Sequence, residues 1–456
     1  MNIHSSTYLE NQHTYKILDD LLVKITVTNN PYGLSLEQLF AMAARNNKKR
    51  AFLFVSKLLG KHIPVHPVKA LLSGKMLAER YLEEIEGISL HDQDMLLPAF
   101  LRENYNTLTN IQNQSYKLKN RTIFIGFAET ATALGHSVFE SFTNAHYIHT
   151  TRDVIEGLQS SINFEEEHSH ATSHRCYAKE DRFENNDPIV LIDDEITTGK
   201  TALNIIRSIQ SQYPRKNYTI VSLLDWRSNF DKKKFAELEK ELKVKINVVS
   251  LLSGEIEVSG NPITTTNSHP TLQYIDSIEQ KTTFVYLKDQ QFFADCYEYV
   301  SINSNGTKNL TPYMSVTGRF GVDCAEREYF EGEIATISAD LRKRRKGTST
   351  LCLGTGEFMY IPMKIAAQLG DGVSYQSTTK SPVHIVDKKG YGVQTGYAFN
   401  SLDDPEVMNY VYNIPFKEYD EVFVFIERSV KESNMESMKH ALKMTGIPYV
   451  HFIVFQ

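Results

Sequence analysis

The sequence is short of several things, and each shortage narrows the reading. Of its 456 residues only four are cysteine (Cys176, Cys296, Cys324 and Cys352), scattered without a C-x-x-C pair. That spacing argues against a disulfide framework and a structural zinc site, and it fits a reducing compartment. No stretch approaches 18 consecutive apolar residues, so no membrane-spanning helix is expected. The opening MNIHSSTYLE has neither a basic start nor an apolar core. No signal peptide is therefore expected, and the cytoplasm is the default location. Positive charge is not in excess: 49 Lys and Arg stand against 55 Asp and Glu, a formal net charge of -6. Without a basic footprint, bulk nucleic-acid binding is not expected.

What is present is the composition of a soluble globular protein, 41% hydrophobic and 23% charged. The chain is too long for one ordinary core, and two or three domains are expected. Its most informative stretch is PIVLIDDEITTGKTALNI, residues 188–205. Ile189, Val190, Leu191 and Ile192 read as a buried strand. Asp193 and Asp194 follow, then Glu195, the turn Thr197-Thr198-Gly199, and an amphipathic helix from Lys200 and Thr201. The turn and helix start offer N–H groups and a positive dipole end to a phosphate. The adjacent carboxylates suit hydroxyls and a hard cation such as Mg²⁺. A ribose 5-phosphate presents both demands at once. An ATPase P-loop is excluded, because that pattern needs Gly five residues before Gly199 and Asp194 stands there. Acids at the end of a fully apolar strand are costly without a task.

Along the chain, residues 1–30 read as an edge strand or hairpin arm, and residues 34–45 as a short helix. The basic cluster Arg45, Lys48, Lys49 and Arg50 precedes a strand, and Lys57, Lys61 and His62 follow it. This is either a solvated turn or a cap carrying cations to the site. Residues 68–86 read as a helix. In RTIFIGFAETATALGHS, residues 121–137, a strand enters a small-residue loop, Ala128-Glu129-Thr130-Ala131, suited to an anion. Glu129 is out of place beside an anion and needs a cation or a hydroxyl. Thr150, Thr151 and Arg152 end the next strand with donors for an oxyanion. The 35 residues from Asp153 to Asp187 have little periodicity and include His168, His170 and His174. Three histidines supply metal donors without a scaffold. A loop that closes over the ligand and excludes water fits better, with a plain surface loop as the alternative. A strand at 218–224, a helix at 231–243 and a strand at 244–252 complete an α/β unit with a mostly parallel sheet. The expected division is a first domain at 1–255, a linker at 256–285 and a second α/β domain at 286–456.

The second domain echoes the first. Matching Gly354 to Gly126 gives an offset of 228 (354 − 126). At that offset Glu357 falls on Glu129, Tyr375 on Tyr147, Thr378 and Thr379 on Thr150 and Thr151, and Lys380 on Arg152. A degenerate duplicate with its own anion site (Gly354, Glu357, Thr378, Thr379, Lys380) is the expectation. The strand at 421–430 leads to Glu427-Arg428-Ser429 instead of paired aspartates and Thr-Gly. The run LRKRRK, residues 341–346, reads as a helix end on a solvated face.

The combination FLFVSKLLGKHIPV, GFAETATALGH, HTTRD, HSHA and VLIDDEITTGKT resembles the orotate-phosphoribosyltransferase-like enzymes of bacterial tellurite-resistance and stress gene clusters. These have the type I phosphoribosyltransferase fold, a mostly parallel, Rossmann-like sheet. GTGEFMYIP and QSTTKSP resemble the domain that follows them, named for a T-R-S-P motif, with Lys380 in place of Arg. The resemblance implies Mg²⁺ as cofactor, with phosphoribosyl pyrophosphate (PRPP) and a base-like acceptor as partners. Asp193 and Asp194 would then hold the ribose hydroxyls directly or through Mg²⁺. Glu195 and Thr197–Thr201 would form the 5-phosphate segment. Ala128–Ala131 would receive pyrophosphate with help from Arg152, and Lys57, Lys61, His168 and His170 would cap or close the site. Related folds pair so that one subunit's loop completes another's site, which raises a homodimer. Non-catalytic sensing of PRPP or a nucleotide, and cleavage of a nucleotide by pyrophosphate, stay open as alternatives.

Overall fold

The computed structural model describes residues 11–18, 20–45, 50–88, 93–102, 114–165, 173–178, 182–260, 279–288, 292–293 and 295–456. The chain begins with a hairpin, β1 (Gln12–Lys16) and β2 (Leu22–Asn29). The helix expected at 34–45 is a single turn, Leu36–Leu39, followed by β3 (Phe40–Ala44) paired antiparallel to β4 (Phe52–Ser56). Tertiary packing overrides local preference here: Phe40 meets Phe54 edge-on at 4.8 Å, and Phe54 stacks on Trp226 at 5.1 Å. Helix α1 (Pro67–Tyr81) follows and continues as a wider turn through Glu86.

The first sheet is built around β5 (Tyr116–Gly126), β6 (Phe142–His149), β7 (Ile189–Ile196), β8 (Asn217–Asp225) and β9 (Lys245–Ser259). Their order is β9-β8-β7-β5-β6, parallel throughout. Helices α2 (Ala131–Phe139), α3 (Lys200–Gln212) and α4 (Asn229–Leu242) make the crossovers. Central strands of such a sheet are covered on both faces, which is why Ile189–Ile192 are all apolar and fully buried. The order reverses at β5, so a crevice opens at the carboxyl ends of β5 and β7.

β9 is longer than expected because it changes partners. It pairs with β8 through Ser253, then antiparallel with β2 from Ser253 to Ser259. Gly254 sits at the irregularity, where a Cβ would come within 2.6 Å of the Thr26 carbonyl. The stretch expected as a linker therefore starts inside β9 and ends inside β10 (Lys281–Tyr286). Residues 261–278 lie outside the described residues.

The second sheet contains β10, β11 (Thr350–Gly354), β12 (Val373–Ser377), β13 (Glu421–Ile426) and β14 (Tyr449–Val454). Its order is β10-β14-β13-β11-β12, again all parallel. Helices α5 (Arg327–Arg344), α6 (Tyr360–Ala366) and α7 (Glu432–Met444) flank it. With β11 set on β5, β12 on β6, β13 on β7 and β14 on β8, the two cores have one strand order. Their loops repeat it at the offset of 228. Thr150 N donates to Gly126 O at 2.9 Å, and Thr378 N to Gly354 O at 3.0 Å. Ala128 N donates to Thr150 Oγ1 at 2.8 Å, and Gly356 N to Thr378 Oγ1 at 2.9 Å. Asp153 N reaches Thr151 Oγ1 at 3.1 Å, and Ser381 N reaches Thr379 Oγ1 at 3.2 Å.

The two units also share their interiors. Val383, Tyr391, Val393 and Tyr412 belong to the first unit's apolar core, while Val65, Ala70 and Ala133 belong to the second's. Of the basic run at 341–346, Arg342, Lys343 and Arg344 end α5 as expected, but Arg345 turns inward onto the Thr350 hydroxyl and the Leu369 carbonyl. Among the described residues no helix is long and apolar enough to cross a membrane.

Candidate active site

Two cavities lie at the strand carboxyl ends, one for each sheet. The first, about 150 Å³, is lined by Asp193–Ala202, Phe127 and Thr130 from the first sheet's loops, and by Arg45, Arg50, Phe54, Lys61 and His62 from the β3–β4 region. Thr379 and Ser381 reach it from the second unit. The sequence-predicted acids and turn are thus brought together.

Asp193 and Asp194 end the buried part of β7, and Asp194 N donates to Asp193 Oδ1 at 3.0 Å. Burial, with Glu195 beside it, pushes the Asp194 carboxyl up to about 6. Gly199 caps α3 in the left-handed region, φ 72°, and a Cβ there would meet the Phe235 ring at 2.4 Å. The first turn of α3, Lys200–Ala202, lines the cavity's end beside Thr197 and Thr198, and Lys200 N donates to Thr198 Oγ1 at 3.3 Å. Glu195, expected with the phosphate segment, instead binds Arg50 at 2.5 Å. A carboxylate turned away from a phosphate position is the lower-energy arrangement. The Arg50 guanidinium also lies over Phe52, 4.9 Å from the ring centre, so the β3–β4 hairpin roofs the cavity.

Several expected contacts fall elsewhere. Lys57 donates to the Glu37 carbonyl at 2.7 Å and lines neither cavity. Lys61 is buried, 2% exposed, and its Nζ lies 2.7 Å from both Glu129 Oε1 and Thr378 O. Burial lowers the Lys61 pKa, with Glu129 opposing. Burial alone would raise Glu129, but Lys61, then Lys380 and Arg152, hold it below the usual carboxylate range. Glu129 thereby gains the cation it required, and the Ala128–Ala131 loop divides. Thr130 lines the first cavity and Glu129 the second, while Ala128 and Ala131 are buried in the wall. The Ala128–Glu129 peptide is cis.

Arg152 is a further correction, because it lines the second cavity and not the first. The oxyanion grip expected at Thr151–Arg152 exists, but it holds the protein's own Glu357. Thr151 Oγ1 donates to Glu357 Oε2 at 2.7 Å and Arg152 N donates to Oε1 at 3.0 Å. The expected second-domain anion site is accordingly dispersed. Gly354 ends β11, Glu357 fills the grip, Thr378 Oγ1 accepts from Gly356 N, Thr379 lines the first cavity and Lys380 the second. His168 and His170 lie outside the described residues. His174 is buried, stacked on Phe164 and 3.1 Å from Thr150 Oγ1. Among the described residues no group of three or more His, Cys, Asp or Glu side chains stands together as a metal centre.

The stretch 313–327 offers Arg319 to the second unit by sequence, and the structure places it there; sequence reasoning missed Tyr313 and the contribution of Thr379 and Ser381 to the first cavity. Arg319 bridges Glu427 at 2.7 Å and Glu357 at 3.3 Å, and lies over Tyr313. The offset of 228 carried the signal for the exchange, since Thr379 and Ser381 match Thr151 and Asp153. Each unit's segment after its second strand crosses to the other unit's side.

Residues 39–255 match the family described as phosphoribosyl transferase (PRTase_2). This first domain, with its paired acids, turn and strand order, is a phosphoribosyltransferase, a pentosyltransferase by class. Residues 316–442 match the family described as the TRSP domain C-terminal to PRTase_2, so the chain has the narrower architecture of a PRTase_2 domain followed by a TRSP domain. Among solved structures, adenine phosphoribosyltransferase from Rhodothermus marinus DSM 4252 is 18% identical, with a TM-score of 0.21, covering 34% of this chain and 80% of that one. Adenine phosphoribosyl transferase from Trypanosoma brucei, in complex with AMP, pyrophosphate and ribose-5-phosphate, is 13% identical, with a TM-score of 0.30, covering 59% and 97%. Orotate phosphoribosyltransferase from Aeropyrum pernix is 15% identical, with a TM-score of 0.18, covering 30% and 61%. No curated protein matches the chain.

Proposed function

We propose that the first cavity binds PRPP and transfers its ribose 5-phosphate to a nitrogen of a base-like small molecule. The observation that carries this reading is the continuity of β7, Asp193-Asp194, the Thr197–Gly199 turn and the start of α3 along one cavity. The α3 first-turn N–H groups and the hydroxyls of Thr197, Thr198 and Thr201 hold the 5-phosphate. Asp193 and Asp194 hold the ribose hydroxyls. Two adjacent carboxylates, one with its pKa raised by burial and by Glu195 beside it, suit a hard divalent cation. Mg²⁺ bound there would neutralise pyrophosphate charge. Thr130, Lys61 and, from the second unit, Thr379 border the pyrophosphate side. The chain's own contribution is positioning and charge stabilisation, with no covalent nucleophile.

At about 150 Å³ the cavity is below the usual range for small-molecule sites, roughly 300–1,000 Å³. PRPP entry therefore moves the β3–β4 roof, and the Arg50–Glu195 contact is the latch. The second unit brings Thr379 and Ser381 to the first cavity within one chain. A place in tellurite or stress metabolism is carried by the sequence resemblance alone.

The test is pyrophosphate release from Mg²⁺–PRPP with a panel of purine and pyrimidine bases. Release with at least one base, lost in Asp193→Asn/Asp194→Asn, is expected. PRPP binding without release for any base would favour the sensing alternative.

A further inference from the structure

The second cavity, about 700 Å³, lies at the carboxyl ends of β11, β12 and β13. It occupies in the second sheet the place that the PRPP cavity occupies in the first. The strand registers align the two residue by residue. Ile192 pairs with Gly126 and Phe425 pairs with Gly354, and the two glycines correspond at the offset of 228. The next contact repeats as well: Phe127 N donates to Ile192 O at 3.0 Å, and Thr355 Oγ1 to Phe425 O at 2.9 Å. Two residues beyond Ile192 is Asp194, and two beyond Phe425 is Glu427. The second cavity therefore keeps a carboxylate where the first has one of its two acids, with Ile426 in place of Asp193.

It loses the phosphate turn. After Glu427 the chain runs Arg428-Ser429-Val430-Lys431, and α7 starts with Glu432, an acid at the dipole end that a phosphate would need. Two of the four cations are already engaged. Arg428 Nη2 donates to Ser301 Oγ at 2.9 Å, with its guanidinium over Tyr313 at 3.8 Å, and Arg319 is held by Glu427 and Glu357. Carboxylates outnumber cations along the wall, six to four. Two residues that line the cavity each carry a buried acceptor without a hydrogen-bond partner among the described residues: Glu427 Oε1, on a residue 7% exposed, and Asn409 Oδ1, on one 4% exposed. Buried acceptors left unpaired are unfavourable, so a ligand rich in donors is required to satisfy them. Leu402, Val407 and Phe399 add an apolar side.

We propose that this cavity is a second small-molecule site, for a ribosyl compound without a 5-phosphate, of the nucleoside class, whose cis-diol donates to Glu427 and Asn409. The diol assignment rests on the reading of Asp193 and Asp194 as ribose-hydroxyl ligands in the first site. Burial raises the Glu427 carboxyl, the direction expected of an acid short of donors. The two sites share a wall, the Lys61–Glu129 pair.

The test is calorimetric titration of the full chain with adenosine, guanosine, cytidine and uridine, their 5′-monophosphates, and 2′,3′-dideoxyadenosine. At least one nucleoside should bind, at least tenfold more tightly than its monophosphate. Adenosine should bind at least tenfold more tightly than its dideoxy form. Glu427→Gln should weaken binding at least tenfold, and Val407→Trp, which fills the cavity without touching the ion pairs, should abolish it. Asp193→Asn/Asp194→Asn should leave it unchanged. The proposal is overturned if no nucleoside binds, if binding survives Val407→Trp, or if it vanishes with Asp193 and Asp194, which would put the ligand in the first site. A separate Mg²⁺–PRPP titration keeps the two readings apart: nucleoside binding through Glu427 with no PRPP binding sinks the transferase reading and supports the second site.

Discussion

Lys61 Nζ lies 2.7 Å from Glu129 Oε1, both side chains buried, at the wall where the two cavities meet. Lys61 lines the first cavity and Glu129 the second. Removing one member leaves a buried charge without its partner. Glu129→Leu should destabilise the protein by roughly 3–5 kcal/mol, while Lys61→Met/Glu129→Leu should recover most of that loss. Urea unfolding of the two variants checks this. Equal costs for the single and double changes would mean that the pair carries no coupling.

The paired acids are expected to be indispensable to transfer. Asp193→Asn/Asp194→Asn should lower pyrophosphate release at least 100-fold, about 3 kcal/mol of transition-state stabilisation. Its far-ultraviolet circular dichroism should match wild type, because neither side chain belongs to the apolar core. Undiminished release would remove them from the site.

Gly199→Ala should act on both stability and phosphate binding. The added Cβ meets the Phe235 ring at 2.4 Å and the residue sits at φ 72°. A cost of about 1–3 kcal/mol is expected, with weaker binding of ribose 5-phosphate, read by thermal melting and calorimetry. A variant that melts and binds as wild type does would show that the turn adjusts freely.

Stability should fall with acidification from near pH 6.5. Burial is the first cause that draws His136 down to about 3 and His149 down to about 4. The ordinary value of 6.5 applies to the unfolded chain, so between those limits the unfolded state binds more protons and stability rises with pH. Each group contributes up to ~1.4 kcal/mol per pH unit in that window. Urea midpoints at pH 7.5 and 5.5 measure the slope, and His136→Phe should make it shallower. An unchanged slope would show that His136 is not the source.

Residues 1–255 alone should not form a stable domain. Val383, Tyr391, Val393 and Tyr412 lie in the first unit's core, and Val65 pairs with Tyr375 through two backbone hydrogen bonds. Expression of 1–255 should give aggregated or protease-sensitive protein. A monodisperse, cooperatively melting fragment would contradict the shared interior.

The strands were legible where one periodicity governed them. Ile189–Ile192 read as a covered parallel strand because four consecutive apolar residues leave no solvent face. The turn at Gly199 read correctly because acids, Thr-Gly and an amphipathic helix have few other uses together. The helix expected at 34–45 failed because the Phe40–Phe54–Trp226 packing, which joins residues distant in sequence, outweighed local preference. β9 outran its expected end because its second half found a partner, β2, more than 200 residues earlier.

The sequence by itself determined two α/β units, the acid–turn–helix segment of the first, and the 228-residue echo, since all three are written in local patterns. Only the tertiary structure decided what those residues touch. Glu357 enters the Thr151–Arg152 grip, Lys61 is spent on Glu129, and Thr379 and Ser381 cross to the first cavity. The reason is physical: hydrogen bonds and ion pairs depend on distance and burial in space, and residues matched by an offset along the chain become partners only when the two units pack together.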